Sequence, residues 1–313
     1  MGGKLYVGGD TLGLVGSGEA PAASWIYLKP SVDSQGTEAT ARYHMLVGGS
    51  SCVGGTSGAG DMPGFYGKSH IQMEGGEVDY IIGGNHVTNS TFVFWGNTYV
   101  SVFRGQVNGG IVGGSTITCG SPQDTVHEFN GSSFVGIYTV LGNGQATPGI
   151  DNGATLASGF TAVVGGNAWV DLPNGSADVN PSFNGYSRIL IDLVSDLPDA
   201  KTGLTRGMTT GNFDKAIVGG NYTTSFVAGE AESATRSSTF TKYNSDYATN
   251  ITIRATEDAV FTAGVNGASR RGSGGNGDTR FEGAANVNIE GGTYTEAVAG
   301  GFWFEETSKG ARR

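Results

Sequence analysis

His70-Ile71-Gln72-Met73-Glu74-Gly75-Gly76-Glu77-Val78-Asp79-Tyr80-Ile81-Ile82-Gly83-Gly84-Asn85 is the stretch that decides the fold. It joins a short alternating segment, a Gly75-Gly76 turn, a second segment ending in two branched residues, a Gly83-Gly84 turn and an asparagine. One unit later the chain repeats it as Val102-Phe103-Arg104-Gly105 followed by Ile111-Val112-Gly113-Gly114-Ser115, which superimposes both turns. Self-similarity at a period of roughly 30 residues marks a solenoid, whose units bury their apolar faces against one another.

The ending of the unit recurs in Leu46-Val47-Gly48-Gly49-Ser50, Val163-Val164-Gly165-Gly166-Asn167 and Ile217-Val218-Gly219-Gly220-Asn221, with degenerate copies at 6–10, 140–144 and 298–301. Its opening half recurs in Val287-Asn288-Ile289-Glu290-Gly291-Gly292, and in Ile251-Thr252-Ile253-Arg254 without the glycines. Branched residues suit a half-buried extended backbone. Paired glycines allow a positive φ at a sharp corner and leave room where backbones meet. Asparagine tolerates such a corner and can bond its own turn. In register, Asn85, Ser115, Asn167 and Asn221 therefore predict a polar ladder along the stack.

Composition supports strands joined by turns. Glycine takes 56 of 313 residues, well above the usual share of about 7%, without a collagen period. Only 15% of residues are charged and the net charge is −10, which argues against nucleic-acid binding, a process that needs a basic stripe. No apolar run reaches the roughly 18 residues that span a bilayer, and Met1-Gly2-Gly3-Lys4 opens no signal-peptide core. We expect an excised segment whose export signal and anchor lie outside it, and no membrane insertion by the segment itself. The two cysteines, Cys52 and Cys119, are expected about two repeats apart, roughly 9 to 10 Å, beyond disulfide reach.

The chain divides into residues 1–40, repeats over 41–301, and 302–313. The first part reads equally as an N-terminal cap carrying Trp25, Ile26 and Leu28, or as a first repeat with a loop at 30–40. The last part, with Phe302-Trp303-Phe304, reads as a seal on the final repeat or a point of truncation. Corner glycines at Gly48, Gly83, Gly113 and Gly165 are unequally spaced, which assigns lateral loops, among them 54–67, 172–184 and 229–248, the last read equally as a long outer hairpin. Residues 187–194 compete between strand and helix; their place before a Gly-Gly corner favours strand.

Chemistry is sparse. Trp95 and Tyr99 flank a Gly-Asn corner in the most aromatic stretch, 91–103. Aromatics at strand spacing mostly fill cores, but either ring placed outside would stack on a sugar. Asp192, Asp196 and Asp199 form the densest acidic group, read as a solvated edge first and as a weak calcium site of oxygen ligands second. Glu74 aligns with Arg104 as an ion pair of little energy if exposed. His44, His70, His86 and His127 show no zinc spacing. No nucleotide loop or nucleophile elbow occurs, and no cofactor is expected.

Repeated Ile-Val-Gly-Gly-Asn endings in a Gly/Asn/Thr-rich, cysteine-poor chain resemble the passenger region of bacterial autotransporters of the pertactin and AIDA type, over most of 41–301. The resemblance implies an all-β, right-handed parallel β-helix with lateral loops, displayed on the outer membrane. It also implies a non-enzymatic stalk or adhesin whose partners are host-surface glycans or proteins. Two alternatives stand beside it: a polysaccharide-active lyase or glycosidase, and self-association into filaments through exposed terminal repeats.

Overall fold

The computed structural model describes residues 4–9, 22–29, 31–32, 38–39, 42–53, 64–88, 92–119, 127–138, 162–171, 182–194, 212–223, 238–242, 248–257, 259–271, 279–301 and 303–304. Among the described residues every regular element is a strand. Pairing is parallel except where Lys4–Gly9 runs antiparallel along Ala22–Lys29 and Ser31–Val32 along Glu38–Ala39.

Strands from successive repeats lie side by side in rows. The first row runs through Ala22–Lys29, Gly64–Ile82, Phe92–Val107, His127–Ile137 and Ser182–Asp192, then splits into Ser238–Lys242 with Thr249–Arg254 and Thr279–Glu282 with Ala285–Glu290. The second holds Arg42–Val47, the end of Gly64–Ile82, Ile111–Val112, Ala162–Val164, Ala216–Val218, Val265–Asn266 and Val298–Ala299. Because Gly64–Ile82 passes through both rows, they form one curled sheet of 16 strands. A separate sheet of 7 strands makes the third row, from Ser51–Val53 through His86–Thr88, Thr116–Cys119 and Ala168–Asp171 to Trp303–Phe304. Cys52 and Cys119 fall in this row on strands separated by His86–Thr88.

Registered columns of like residues make the core. Ile26, Ile71, Val100, Val135, Ile189 and Ile251 form one column of the first row, and Leu28, Met73, Val102, Ile137, Ile191 and Ile253 the next. Leu46, Ile81, Ile111, Val163, Ile217 and Val265 pack into the same cluster from the second row. The residues that follow some of these, Val112, Val164 and Val218, are buried on the other face against Tyr80, Ala162 and Ala168. Burial on both faces is why the corner motif carries two branched residues in succession.

The predicted ladder is present and longer than expected. The Ser50 N–H donates to Asn85 Oδ1 at 2.9 Å, Asn85 N–H to Ser115 Oγ at 3.0 Å, Ser115 N–H to Asn167 Oδ1 at 2.9 Å, Asn167 N–H to Asn221 Oδ1 at 2.9 Å, and Asn221 N–H to Ser269 Oγ at 3.0 Å. Each polar side chain thus satisfies a backbone donor of the preceding repeat that the corner takes out of the sheet. A second column was not anticipated. The hydroxyls of Ser24, Ser69, Thr98, Ser133, Ser187 and Thr249, aligned across the first row, donate to the carbonyls of Gly48, Gly83, Gly113, Gly165, Gly219 and Gly267 on the facing corners. These bonds tie the opposing rows together through the interior.

Several expectations are corrected. Of the paired glycines, Gly76, Gly291 and Gly292 take the positive φ expected of them, but the Gly83-Gly84, Gly113-Gly114, Gly165-Gly166 and Gly219-Gly220 corners do not; among described residues that conformation also falls on Gly67, Gly96, Gly105, Gly131 and Gly283. The corners need glycine for space alone, since a Cβ on Gly83 would lie 2.5 Å from Gly113 O and one on Gly113 would lie 2.7 Å from Gly165 O. The first two repeats do not superimpose uniformly, because the register shifts between Met73 and Glu74 and again between Glu74 and Glu77. Gly8 and Gly9 sit inside the antiparallel Lys4–Gly9 strand instead of forming a corner. Ser238–Lys242, expected within a loop, is a first-row strand, and Ser182–Asp192 begins where a loop was expected to continue. The strand reading of 187–194 agrees with Ser182–Asp192, residues 64–67, expected in a loop, instead open the Gly64–Ile82 strand, and the copy at 140–144 and loop residues 54–63 lie outside the described residues.

Candidate functional site

Strand alternation sends every second residue of the first row outward, where registered side chains again stack as columns. One column holds Tyr66, Trp95, Asn130 and Asn184, and another Trp25, His70, Tyr99, Phe134 and Arg188. Both sequence-derived candidates, Trp95 and Tyr99, therefore lie on this outer face, four residues apart on one strand, roughly 13 Å at the usual rise.

Their environments differ. Trp95 is 50% exposed and Tyr66 45%, with ring centroids 6.5 Å apart and planes 19° from parallel. Tyr99 is half-buried, stacks on His70 at 4.5 Å, and has Phe134 next in its column. Phe134 in turn lies 5.7 Å beneath the Arg188 guanidinium. Stacking along a column consumes ring faces and leaves edges, so Tyr99 has little face to offer. Trp95 differs because the next residue in its column is Asn130, whose neighbour Asn184 donates to it at 2.8 Å. A ring flanked by amides at the edge of an aromatic patch can hold the apolar face of a sugar while the amides bond its hydroxyls. Trp25, 39% exposed, extends the patch toward the first strand of the row.

Of the three acidic candidates, Asp192 falls among the described residues. Asp192 is buried, accepts from Val194 N–H at 3.3 Å, and pairs with Arg254 at 3.3 Å. Asp196 and Asp199 lie outside the described residues. Among the described residues no group of three His, Cys, Asp or Glu could hold a metal ion. Glu74 aligns with Arg104 as expected, yet it is buried, with the Gln72 amide donating to its carboxylate.

A polar cluster unforeseen from the sequence lies on the outer face of the Arg42–Val47 and Gly64–Ile82 pairing. Arg42 meets Glu77 at 3.4 Å and Asp79 at 3.2 Å, His44 Nδ1 lies 3.1 Å from Asp79 Oδ2, and the Asn108 amide donates to Glu77 at 2.6 Å. Burial, then the Asp79 charge, pushes the neighbouring Tyr80 hydroxyl up to about 12. Lys215, fully buried, donates to the Asn108 carbonyl at 2.7 Å and lies 3.5 Å from Asp214. Its burial lowers the ammonium pKa although Asp214 pulls the other way.

His127, buried beside Phe129, Ile117 and Asn167, carries a pKa lowered from 6.5 to about 4 by burial. The unfolded chain then binds more protons than the native one between these values, so stability rises with pH across about 4 to 6.5 and is lost on acidification. Denaturant melts at stepped pH should show that slope, and His127→Leu should flatten it.

No protein-family profile, curated protein or solved structure matches this chain.

Proposed function

We propose that this chain is a right-handed parallel β-helix, of the kind found in autotransporter passengers, that is displayed at a cell surface and binds glycans on the outer face of its first row. The observation that carries the reading is Trp95, half exposed beside Tyr66 and bordered by Asn130 and Asn184. Soluble folds rarely leave large aromatics together in water without a partner for them. Supporting it are the in-register parallel rows and a surface poor in charge. The structural role follows from the ladders, which stiffen the rod that holds the patch.

A polysaccharide-active enzyme is the second reading, favoured by Glu77 and Asp79 converging with Arg42 and His44. Both carboxylates are already paired, which fits a structural bridge between repeats better than a free acid and base. One experiment separates the readings. Titrating neutral and acidic oligosaccharides against intrinsic tryptophan fluorescence should give saturable quenching without reducing-end or unsaturated product. Trp95→Ala should weaken that binding at least tenfold, about 1.4 kcal/mol, with an unchanged melting temperature. Absence of binding across the panel sinks the glycan reading, and turnover abolished by Glu77→Gln replaces it with the enzymatic one.

A further inference from the structure

The charges around Trp95 run against those of the chain. The protein carries a net −10, yet the first-row segments on that face, 64–72, 92–101, 127–136 and 182–190, carry exposed Lys68, His70 and Arg188 and a single carboxylate, Glu128. Among the described residues neither Lys68 nor Arg188 meets a carboxylate. Glu128 is half-buried and accepts from the Asn130 amide at 3.4 Å, while Asn130 accepts from Asn184 at 2.8 Å. The one nearby acid is thus tied into the amide column and answers neither cation.

Arg188 is held in place by a ring. Its guanidinium lies 5.7 Å over Phe134, which covers a flat face, and a guanidinium stacked in this way keeps its edge donors, a planar fork that matches the two oxygens of a carboxylate. Phe134 continues the column of Trp25, His70 and Tyr99, so this aromatic run ends in a cation. Lys68 stands two residues beyond Tyr66 and one strand away from Trp95, roughly 8 Å from it at the usual strand spacing and rise. An isolated surface cation is ordinary. Two that border one aromatic patch, with the local carboxylate bonded elsewhere, are complementary to a ligand that brings its own negative charge.

Resting on the reading that this face binds glycans, we propose that the glycan is acidic: a uronate-bearing chain whose rings lie on Trp95 and Tyr66 and whose carboxylates pair with Lys68 and Arg188. Trp95 and the amides recognise the sugar as a sugar, and the two cations select the charged one. A neutral glycan would use the ring and leave both cations without a counter-charge.

Matched ligands test the assignment. Oligogalacturonate and a glucuronate-containing oligosaccharide are titrated against tryptophan fluorescence beside their methyl esters, which keep the rings and lose the charge. The acids should bind at least tenfold more tightly than the esters, and added salt should narrow the gap, as it does for exposed charges. Lys68→Gln with Arg188→Gln should remove most of the preference while leaving ester affinity and melting temperature unchanged. Arg188→Lys should restore part of it, because the charge returns without the fork. Trp95→Ala should weaken acid and ester alike. Equal affinity for acid and ester overturns the acidic assignment and leaves glycan binding standing, whereas binding of neither overturns both. A preference that survives the double glutamine variant also overturns the proposal, since the selecting charges would then lie elsewhere.

Discussion

Gly96→Ala is expected to lower the unfolding free energy by roughly 3 to 5 kcal/mol, combining backbone strain with overpacking. Gly96 has φ near +146°, and its missing Cβ would run into the carbonyl oxygen of Gly67 on the neighbouring strand. The obstruction is backbone, which cannot swing aside as a side chain would. The same collision repeats upward: a Cβ on Gly131 would strike Gly96 O, and one on Gly185 would strike Gly131 O. Relief at one level therefore disturbs the next, and a loss of cooperativity should accompany the loss of stability. Urea titration followed by circular dichroism checks both. A change below about 0.5 kcal/mol, the range of ordinary surface substitutions, would mean the strands are not packed as described.

Phe129→Ala is expected to cost about 3 to 5 kcal/mol. Phe129 is fully buried, with Phe94 at 4.8 Å and Phe183 at 4.5 Å, both within 6° of parallel. Phe65 extends the stack at 5.0 Å from Phe94. Removing the middle ring leaves a cavity closed above and below by rings already fixed by their own neighbours, so collapse into it is limited. Phe129→Leu should recover part of the loss. Thermal unfolding monitored by near-ultraviolet ellipticity reads both variants, and equal stability of the alanine variant and wild type would contradict the stack.

Much of the architecture was legible because the corner motif holds its pieces adjacent in sequence. Ile81, Ile82, Gly83, Gly84 and Asn85 carry strand, corner and ladder in five consecutive letters. The hydroxyl column was not legible because its distance from the corner changes with every loop. Ser69 lies 14 residues before the glycine it bonds and Thr98 lies 15 before its own, but Ser133 and Ser187 lie 32 before theirs and Thr249 lies 18. The phenylalanine stack was hidden for the same reason. Ser269 was missed because Gly267-Ala268 breaks the double glycine that marks the other corners.

The candidate site was only partly readable. Composition picked out 91–103, but Gly96-Asn97, read as a corner, lies inside the continuous Phe92–Val107 strand, and it is the alternation of that strand, with Phe94 and Thr98 buried, that sets Trp95 and Tyr99 on the outer face. Nothing local distinguished the ring with a free flank from the one held between His70 and Phe134, since those neighbours come from other repeats. The cluster of Arg42, His44, Glu77 and Asp79 likewise needs two repeats brought into register before its charges meet. Acidic spacing along the chain pointed instead to Asp192, whose carboxylate serves Arg254 from the next repeat.

The central claim is that successive repeats lie parallel and in register. Lys68 pairs with Asn97, whose Oδ1 accepts from the Ser132 N–H of the next strand at 2.9 Å, so nitroxide labels at Lys68→Cys and Ser132→Cys, in a background with Cys52 and Cys119 replaced by serine, measure it directly. Two strand spacings put their Cα atoms about 10 Å apart, and the doubly labelled protein should show strong dipolar broadening. A spectrum equal to the sum of the two singly labelled proteins would contradict the account.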